Sequence, residues 1–247
     1  MKSSTDSSIR RIGFRAYSKQ SVIRAEDCPV QIKAFPTHLG NLLVTDEFVP
    51  LQLQQALSEL TRQPIWKYGW RSNNRRDRYC YWHAHVAGGD SQTRTNCESE
   101  LAGLPAFSAI YALFKILQQG PLKGHEPVRV YMNSHTFGVE GYVHQDNADT
   151  ENYFSTVYYA HPVWHQNWSG DTVFYNRDES DILTSVFPRP GRAVTFHGAI
   201  PHCARAPSRD CNELRVSIVI KTQRQALAAS DIKNTDTTQA EAGEAKA

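Results

Sequence analysis

The sequence predicts a mainly β, α+β fold: one β-rich core with helices packed outside it. Three observations carry this. Helical patterns lie in the first half of the chain, and short β-type runs fill the second. Turn-rich clusters separate those runs, as in a sandwich or barrel. The 247 residues are 40% hydrophobic and 21% charged, ordinary values for one soluble globular domain.

Residues 1–24 are polar and basic without a period, and read as a flexible arm. No apolar run follows the charged start, so a secretory signal is not expected. Residues 41–45 read as a short strand. Leu51, Leu53, Ala56, Leu57 and Leu60 approximate one helical face, and Pro50 fits the first turn. Residues 79–86, rich in aromatic side chains, read as a strand. A second helix is predicted over 105–118, with Phe107, Ile110, Tyr111, Phe114 and Leu117 on one side and Gly120-Pro121 ending it. Strands are then expected at 128–133, 141–146, 154–160, 171–175, 182–187, 192–196 and 214–221. Residues 224–247 lack aromatic side chains and read as a disordered or partly helical tail. The expected plan is an arm at 1–24, one domain at 25–223 and a tail at 224–247.

Composition excludes several classes. A formal charge of +2 gives no polybasic signal for nucleic acid. The five cysteines, at 28, 80, 97, 203 and 211, form no CxxC pair, which disfavours a disulfide framework or a zinc ribbon. The most apolar helical stretch, 107–117, contains Lys115 and is too short to span a bilayer. A reduced, cytoplasmic protein without a membrane partner is expected.

Ten histidines raise the question of metal. His144 and Asp146 are two apart, so on a strand they share a face and can take adjacent positions on one metal. His202 supplies a third donor. Two histidines and one carboxylate form the facial triad of non-haem Fe(II) oxygenases. His197 competes with His202, which has the better spacing to Arg215. An arginine on the following strand suits an anionic co-substrate, because its planar fork pairs bidentately with a carboxylate. Taken alone, Arg215 would read as a surface residue at a strand end.

The ordered set of Tyr131, His144 with Asp146, Val157-Tyr158-Tyr159 with Trp164, Gly170-Asp171-Thr172, His202 and Arg215-Val216-Ser217 resembles a known family. It is similar to the catalytic core of the Fe(II)/2-oxoglutarate-dependent dioxygenases, in their prolyl-hydroxylase-like branch, over 128–221. The resemblance implies a distorted double-stranded β-helix, or jelly roll. It implies that His144, Asp146 and His202 ligate Fe(II), and that Arg215 binds the distal carboxylate of 2-oxoglutarate. Tyr131, Tyr159 and Ser217 would line the co-substrate pocket, with help from Thr156, and Tyr158 would face the other way. The gap from Tyr131 to His144 is longer than the branch's own, and 206–213 looks like an insertion. With O2, 2-oxoglutarate would leave as succinate and CO2 while a C–H bond is hydroxylated or otherwise oxidised. Asp146 stands where related halogenases carry a small residue, which argues against halogenation.

Residues 66–85 interleave aromatic side chains with arginines. Trp70, Arg71, Trp82, His83 and His85, with Trp164, are the expected substrate contacts, the segment acting as a lid with an arginine for an acidic group. The other reading is an aromatic cluster beside a solvated Arg-rich loop. Stacking on single-stranded nucleic acid is disfavoured by the near-neutral charge. His83 and His85 form an alternative metal pair, as in cupins. His161 and His165 flank Trp164 in a loop expected to be exposed, and Cys203 reads as a small buried residue. The expected substrate is a small polar metabolite, such as an amino acid or biosynthetic intermediate. A protein prolyl residue is the alternative. A non-catalytic jelly-roll binding module is a third reading, against which the intact His144, Asp146, His202 and Arg215 argue.

Overall fold

A computed structural model describes residues 30–90 and 94–225. The expected arm at 1–24, and the expected tail from 226 onward, lie outside the described residues. The chain opens with a hairpin, β1 (Gln31–Thr37) and β2 (Gly40–Asp46). Helix α1 (Leu51–Thr61) buries Leu53, Leu57 and Leu60 but leaves Leu51 68% exposed, so the predicted face is one residue too wide. Pro50 caps it at φ −56°, a value the proline ring imposes. Strands β3 (Lys67–Trp70) and β4 (Tyr81–Gly88) pair antiparallel. Helix α2 (Glu98–Ala102) and a 3-10 turn at Pro105–Phe107 lead into α3 (Ser108–Gln118). The latter buries Ile110, Leu113, Phe114 and Leu117. The remaining strands are β5 (His125–His135), β6 (Tyr153–Tyr159), β7 (Thr172–Tyr175), β8 (Ile182–Val186), β9 (Ala193–His197), β10 (His202–Ala204) and β11 (Arg215–Arg224).

These strands form an eight-stranded antiparallel sheet, ordered β1-β2-β9-β6-β11-β5-β4-β3, and a three-stranded sheet, β10-β7-β8. The large sheet is covered on both faces, and alternation along its strands sorts the two sets of side chains. Val216, Ile218 and Ile220 of β11, with Val130 and Met132 of β5, pack with helical Leu53, Leu57, Ile110 and Phe114. The intervening residues face the small sheet: Tyr159 and Arg215 both reach Thr172 on β7. The fold is a jelly roll with helical backing.

Several elements differ from expectation. Strands β1, β3 and β10 and helix α2 carry too few alternating apolar residues to stand out locally, and partners in the fold define them. Residues 141–146 are not a regular strand. They run beside β10 through single contacts: His144 and His202 exchange backbone bonds of 3.0 and 2.9 Å, and Asp146 N donates to Gly198 O at 2.8 Å. Among the described residues no helix is long and apolar enough to cross a membrane.

Gly88 closes β4 at φ +83°, where an added Cβ would stand 2.3 Å from the Val128 carbonyl oxygen. Gly88→Ala is therefore expected to lower folding stability by about 2 kcal/mol or more, read by urea unfolding. An unchanged midpoint would contradict this packing. Burial holds His83, His125 and His135 at pKa values of about 4, 4 and 3. In the unfolded chain an imidazole protonates near pH 6.5, so below that pH the unfolded state binds more protons. The stability of these neutral histidines is present above about pH 6.5 and lost as pH falls toward 4, at roughly 1.4 kcal/mol per pH unit for each. Urea midpoints are expected to fall steeply from pH 7 to 5; a flat profile would show the histidines charged in the fold.

Candidate metal and co-substrate site

The segment between β5 and β6 carries His144 and Asp146 across the interior, and the start of β10 brings His202 beside them. Their donor atoms all lie within 4.8 Å of one another. His144 Nε2 is 3.6 Å from Asp146 Oδ1, and His202 Nε2 is 3.4 Å from Oδ2. The opposite ring nitrogens face carbonyls: His144 Nδ1 bonds Tyr142 O at 2.7 Å and His202 Nδ1 bonds Ile200 O at 2.8 Å. A carbonyl only accepts, so each Nδ1 carries a proton and each Nε2 is turned toward the carboxylate. Burial pulls His202 down to about 4, so it is neutral at pH 7. Burial alone would raise Asp146, but the Lys221 ammonium reverses this and holds its carboxyl well below the usual range. Burial alone would lower His144, but its pairing with Asp146 reverses this and raises it, so a metal here takes the place of a proton on its Nε2. Two imidazoles and one carboxylate are then a donor set suited to a divalent metal. Ser155 Oγ donates to Asp146 Oδ2 at 2.6 Å, and Lys221 Nζ pairs with the same carboxylate while donating to Ser155 Oγ at 3.0 Å.

Arg215, at the start of β11, is 1% exposed, and no carboxylate lies within ion-pair distance of it among the described residues. Its Nε donates to Gly170 O and its Nη2 to Thr172 Oγ1 at 2.8 Å. The guanidinium carbon sits 5.4 Å from the centre of the Tyr159 ring, whose hydroxyl donates to Thr172 Oγ1 at 2.7 Å. Gly170, at φ +84°, permits this approach: a Cβ there would lie 2.9 Å from Trp164 Cζ2 and 3.2 Å from Arg215 Cδ. Arg215, Ser217 and Tyr131 border the same cavity as the three donor residues.

Other expected residues are distributed differently. Thr156 does not line the cavity; it bonds Thr195 at 2.9 Å, because Ser155 and Val157 take the inward positions of β6. Trp70 stacks on His83 at 4.0 Å, and His83 Nδ1 meets Asn133 Oδ1 at 2.9 Å, so His83 sits beside the cavity wall. His85 is exposed, opposite Tyr131 in register. Neither His83 nor His85 joins the three-donor group. Trp82 lies between His83 and Tyr81, is 40% exposed and packs edge-on against Tyr68. Arg71 is exposed just after β3. Trp164 packs on His161 and Trp168 behind Gly170 and is not among the residues bordering the donor cavity. His161 is 2% exposed, not a surface loop residue, because its Nε2 bonds Pro188 O at 2.6 Å. His197 packs against Phe154, away from the three donors.

The Arg-rich loop at 71–80 is strapped to the donor segment. Arg76 Nη1 donates to Val143 O at 2.7 Å and pairs with Glu179 at 2.8 Å. Asp77 accepts from Tyr142 N at 2.9 Å and Asn73 N at 3.0 Å. Sequence reasoning missed Lys221, Ser155 and Arg129. Period-two alternation from Arg215 and from Tyr131 would have put Lys221 and Arg129 on the inner face.

Residues 129–220 match the family model of the 2OG-Fe(II) oxygenase superfamily. Two solved structures share the fold. One is a prolyl-4-hydroxylase of Pseudomonas putida, at 19% identity and TM-score 0.51, covering 75% of this chain and 93% of that one. Another is an oxidoreductase of the 2OG-Fe(II) oxygenase family from Burkholderia pseudomallei, at 17% identity and TM-score 0.52, covering 71% and 79%. No curated protein matches the sequence.

Anaerobic titration with Co(II) is expected to fill one site per chain and to lose that site in Asp146→Ala. Retained stoichiometry in the variant would remove Asp146 from the donor set.

Proposed function

We propose that this chain, whose residues 129–220 are a 2OG-Fe(II) oxygenase core of prolyl-hydroxylase-like build, oxidises an unactivated C–H bond of a small polar metabolite, such as an amino acid or biosynthetic intermediate. Enzymes of this family use Fe(II), 2-oxoglutarate and O2. The observation that carries the reading is one cavity bordered by three convergent donors and by a buried arginine without a carboxylate partner among the described residues.

In this reading His144, Asp146 and His202 hold the iron. Iron, 2-oxoglutarate and O2 together supply the oxidising power, the co-substrate leaving as succinate and CO2 while the substrate carbon gains oxygen. The chain's own residues position and shield. Arg215 takes the distal carboxylate of 2-oxoglutarate. Gly170 and Thr172 hold its guanidinium against Tyr159, so little rotamer freedom is lost on binding. Ser217 and Tyr131 flank the co-substrate from neighbouring strands. The Nδ1 bonds to Tyr142 and Ile200 keep both imidazoles oriented, and Ser155 orients Asp146. Burial of these groups keeps bulk water from the reacting centre.

The loop at 71–80 supports a compact substrate. Its fastening to Val143 and Tyr142 brings Ser72 and Asn73 to the cavity beside His144 and Asp146, narrowing it. A protein prolyl residue is the second reading, and the fold shared with a prolyl-4-hydroxylase favours it. Incubation with a metabolite extract and with a peptide pool, followed by mass spectrometry, separates the two by which pool gains an oxygen atom.

Anaerobic addition of Fe(II) and 2-oxoglutarate to the full chain is expected to raise the weak visible metal-to-ligand band of such complexes. Its absence with iron bound would overturn the co-substrate assignment. Arg215→Ala is expected to raise the Kd for 2-oxoglutarate about 30-fold or more, as for loss of one partner of a buried charge pair. An unchanged Kd would reassign the anchor.

A further inference from the structure

Two buried arginines of the core lack a carboxylate partner among the described residues. The proposed function gives Arg215 the co-substrate; Arg129 is left over. Arg129 is 7% exposed, and its Nε is sealed from solvent without a hydrogen-bond partner. No ion pair or hydrogen bond engages the rest of its guanidinium among the described residues. It lies between two rings, 4.7 Å from the centre of Tyr131 and 5.3 Å from that of Trp70. Aromatic faces orient a guanidinium and attract it, but they do not neutralise its charge or satisfy its N–H groups.

Its strand position adds to the imbalance. Arg129 of β5 stands opposite Lys221 of β11 in register. Like charges across a strand pair repel. Asp146 offsets Lys221, and among the described residues no carboxylate pairs with Arg129. A buried cation left so is unfavourable for folding alone, and calls for an anion from outside.

The place for that anion is open. Arg129, Trp70, Tyr131 and Lys221 wall a cavity that also reaches His144 and Asp146. The inward residues of β11 run from Arg215 to Lys221, about 20 Å along a strand. His144 and Asp146 border cavity space at both ends of that run.

We infer that Arg129, with Lys221 beside it, binds an anionic group of the substrate, a carboxylate or a phosphate, at the end of the interior opposite Arg215. The inference rests on the oxygenase reading and adds a substrate class to it: the substrate is an acid. Its anionic group anchors at Arg129, and the carbon to be oxidised lies between that anchor and the three donors. Trp70 and Tyr131 set the plane of the guanidinium, leaving its edge for bidentate pairing.

The test uses the full chain with Fe(II) and saturating 2-oxoglutarate, kept anaerobic. It is titrated with benzoate, with phenyl phosphate and with uncharged benzamide. Binding is read from tryptophan fluorescence and from the visible band. At least one anion is expected to bind saturably and tenfold or more tighter than benzamide. Tighter benzoate marks a carboxylate site, and tighter phenyl phosphate a phosphate site. Arg129→Gln is expected to lose the anion preference, with Arg129→Lys recovering part of it, while the Kd for 2-oxoglutarate stays within twofold. Thermal stability of Arg129→Gln is expected to equal or exceed that of the unsubstituted chain, because an unpaired buried charge is removed. Equal binding of anions and benzamide, no anion binding, or full anion preference in Arg129→Gln would each overturn the inference. A missing visible band in the unsubstituted chain is failure of the oxygenase reading; a normal band without anion preference is failure of this inference alone.

Discussion

Asp146 accepts a hydrogen bond from Ser155, pairs with Lys221 and faces the Nε2 atoms of His144 and His202, all inside the fold. Much of the interior is arranged around this carboxylate. Buried and alone it would protonate; with the lysine beside it, it stays ionised and acceptor-only. An ionised Asp146 gives two imidazoles a third, charged neighbour, and the three become a donor set for a cation. The same lysine stands across the strand pair from Arg129, so the charge at that end is compensated once and unbalanced once.

That arrangement depends on a sheet buried on both faces. In β5 and β11 one set of alternating residues is apolar and packs on the helices, as Met132 and Ile218 do. The other set is mostly polar or charged, as Arg129, Asn133, Arg215 and Lys221 are, with Val219 among them. The apolar face ties the strands to α1 and α3, and so fixes where the polar face points. A site on strands held this way needs little reorganisation to receive a ligand. The donor segment at 141–146 is less regular, and it is fixed by other means: backbone bonds to β10, and the strap from Arg76 and Asp77.

What could be read from the sequence follows the same physics. The i, i+2 spacing of His144 and Asp146 pointed to one shared site; their segment is no strand, and the bridge to His202 and the bond from Asp146 N to Gly198 O hold the two there instead. A sandwich or barrel was legible from the frequent short strands, and the resemblance narrowed it to a jelly roll. Edge elements were not: β1 contains Lys33 and Pro36, and its place is settled by pairing with β2. Facing was the harder problem. Trp82 and His83 are adjacent and therefore take opposite sides, and composition cannot say which is inward. Lys221 was hidden because β11 reads as an apolar run ending in a charge; alternation from Arg215 exposes it. His161 sits in a loop, where exposure is the usual expectation, and Pro188 O and Trp164 bury it instead.

Anomalous diffraction at the iron edge, from crystals grown anaerobically with Fe(II) and 2-oxoglutarate, tests the central claim most directly. The account predicts one iron peak bounded by His144 Nε2, His202 Nε2 and Asp146, with the distal carboxylate of 2-oxoglutarate on Arg215. An iron peak at His83 and His85, or none at the Asp146 cluster, would contradict it.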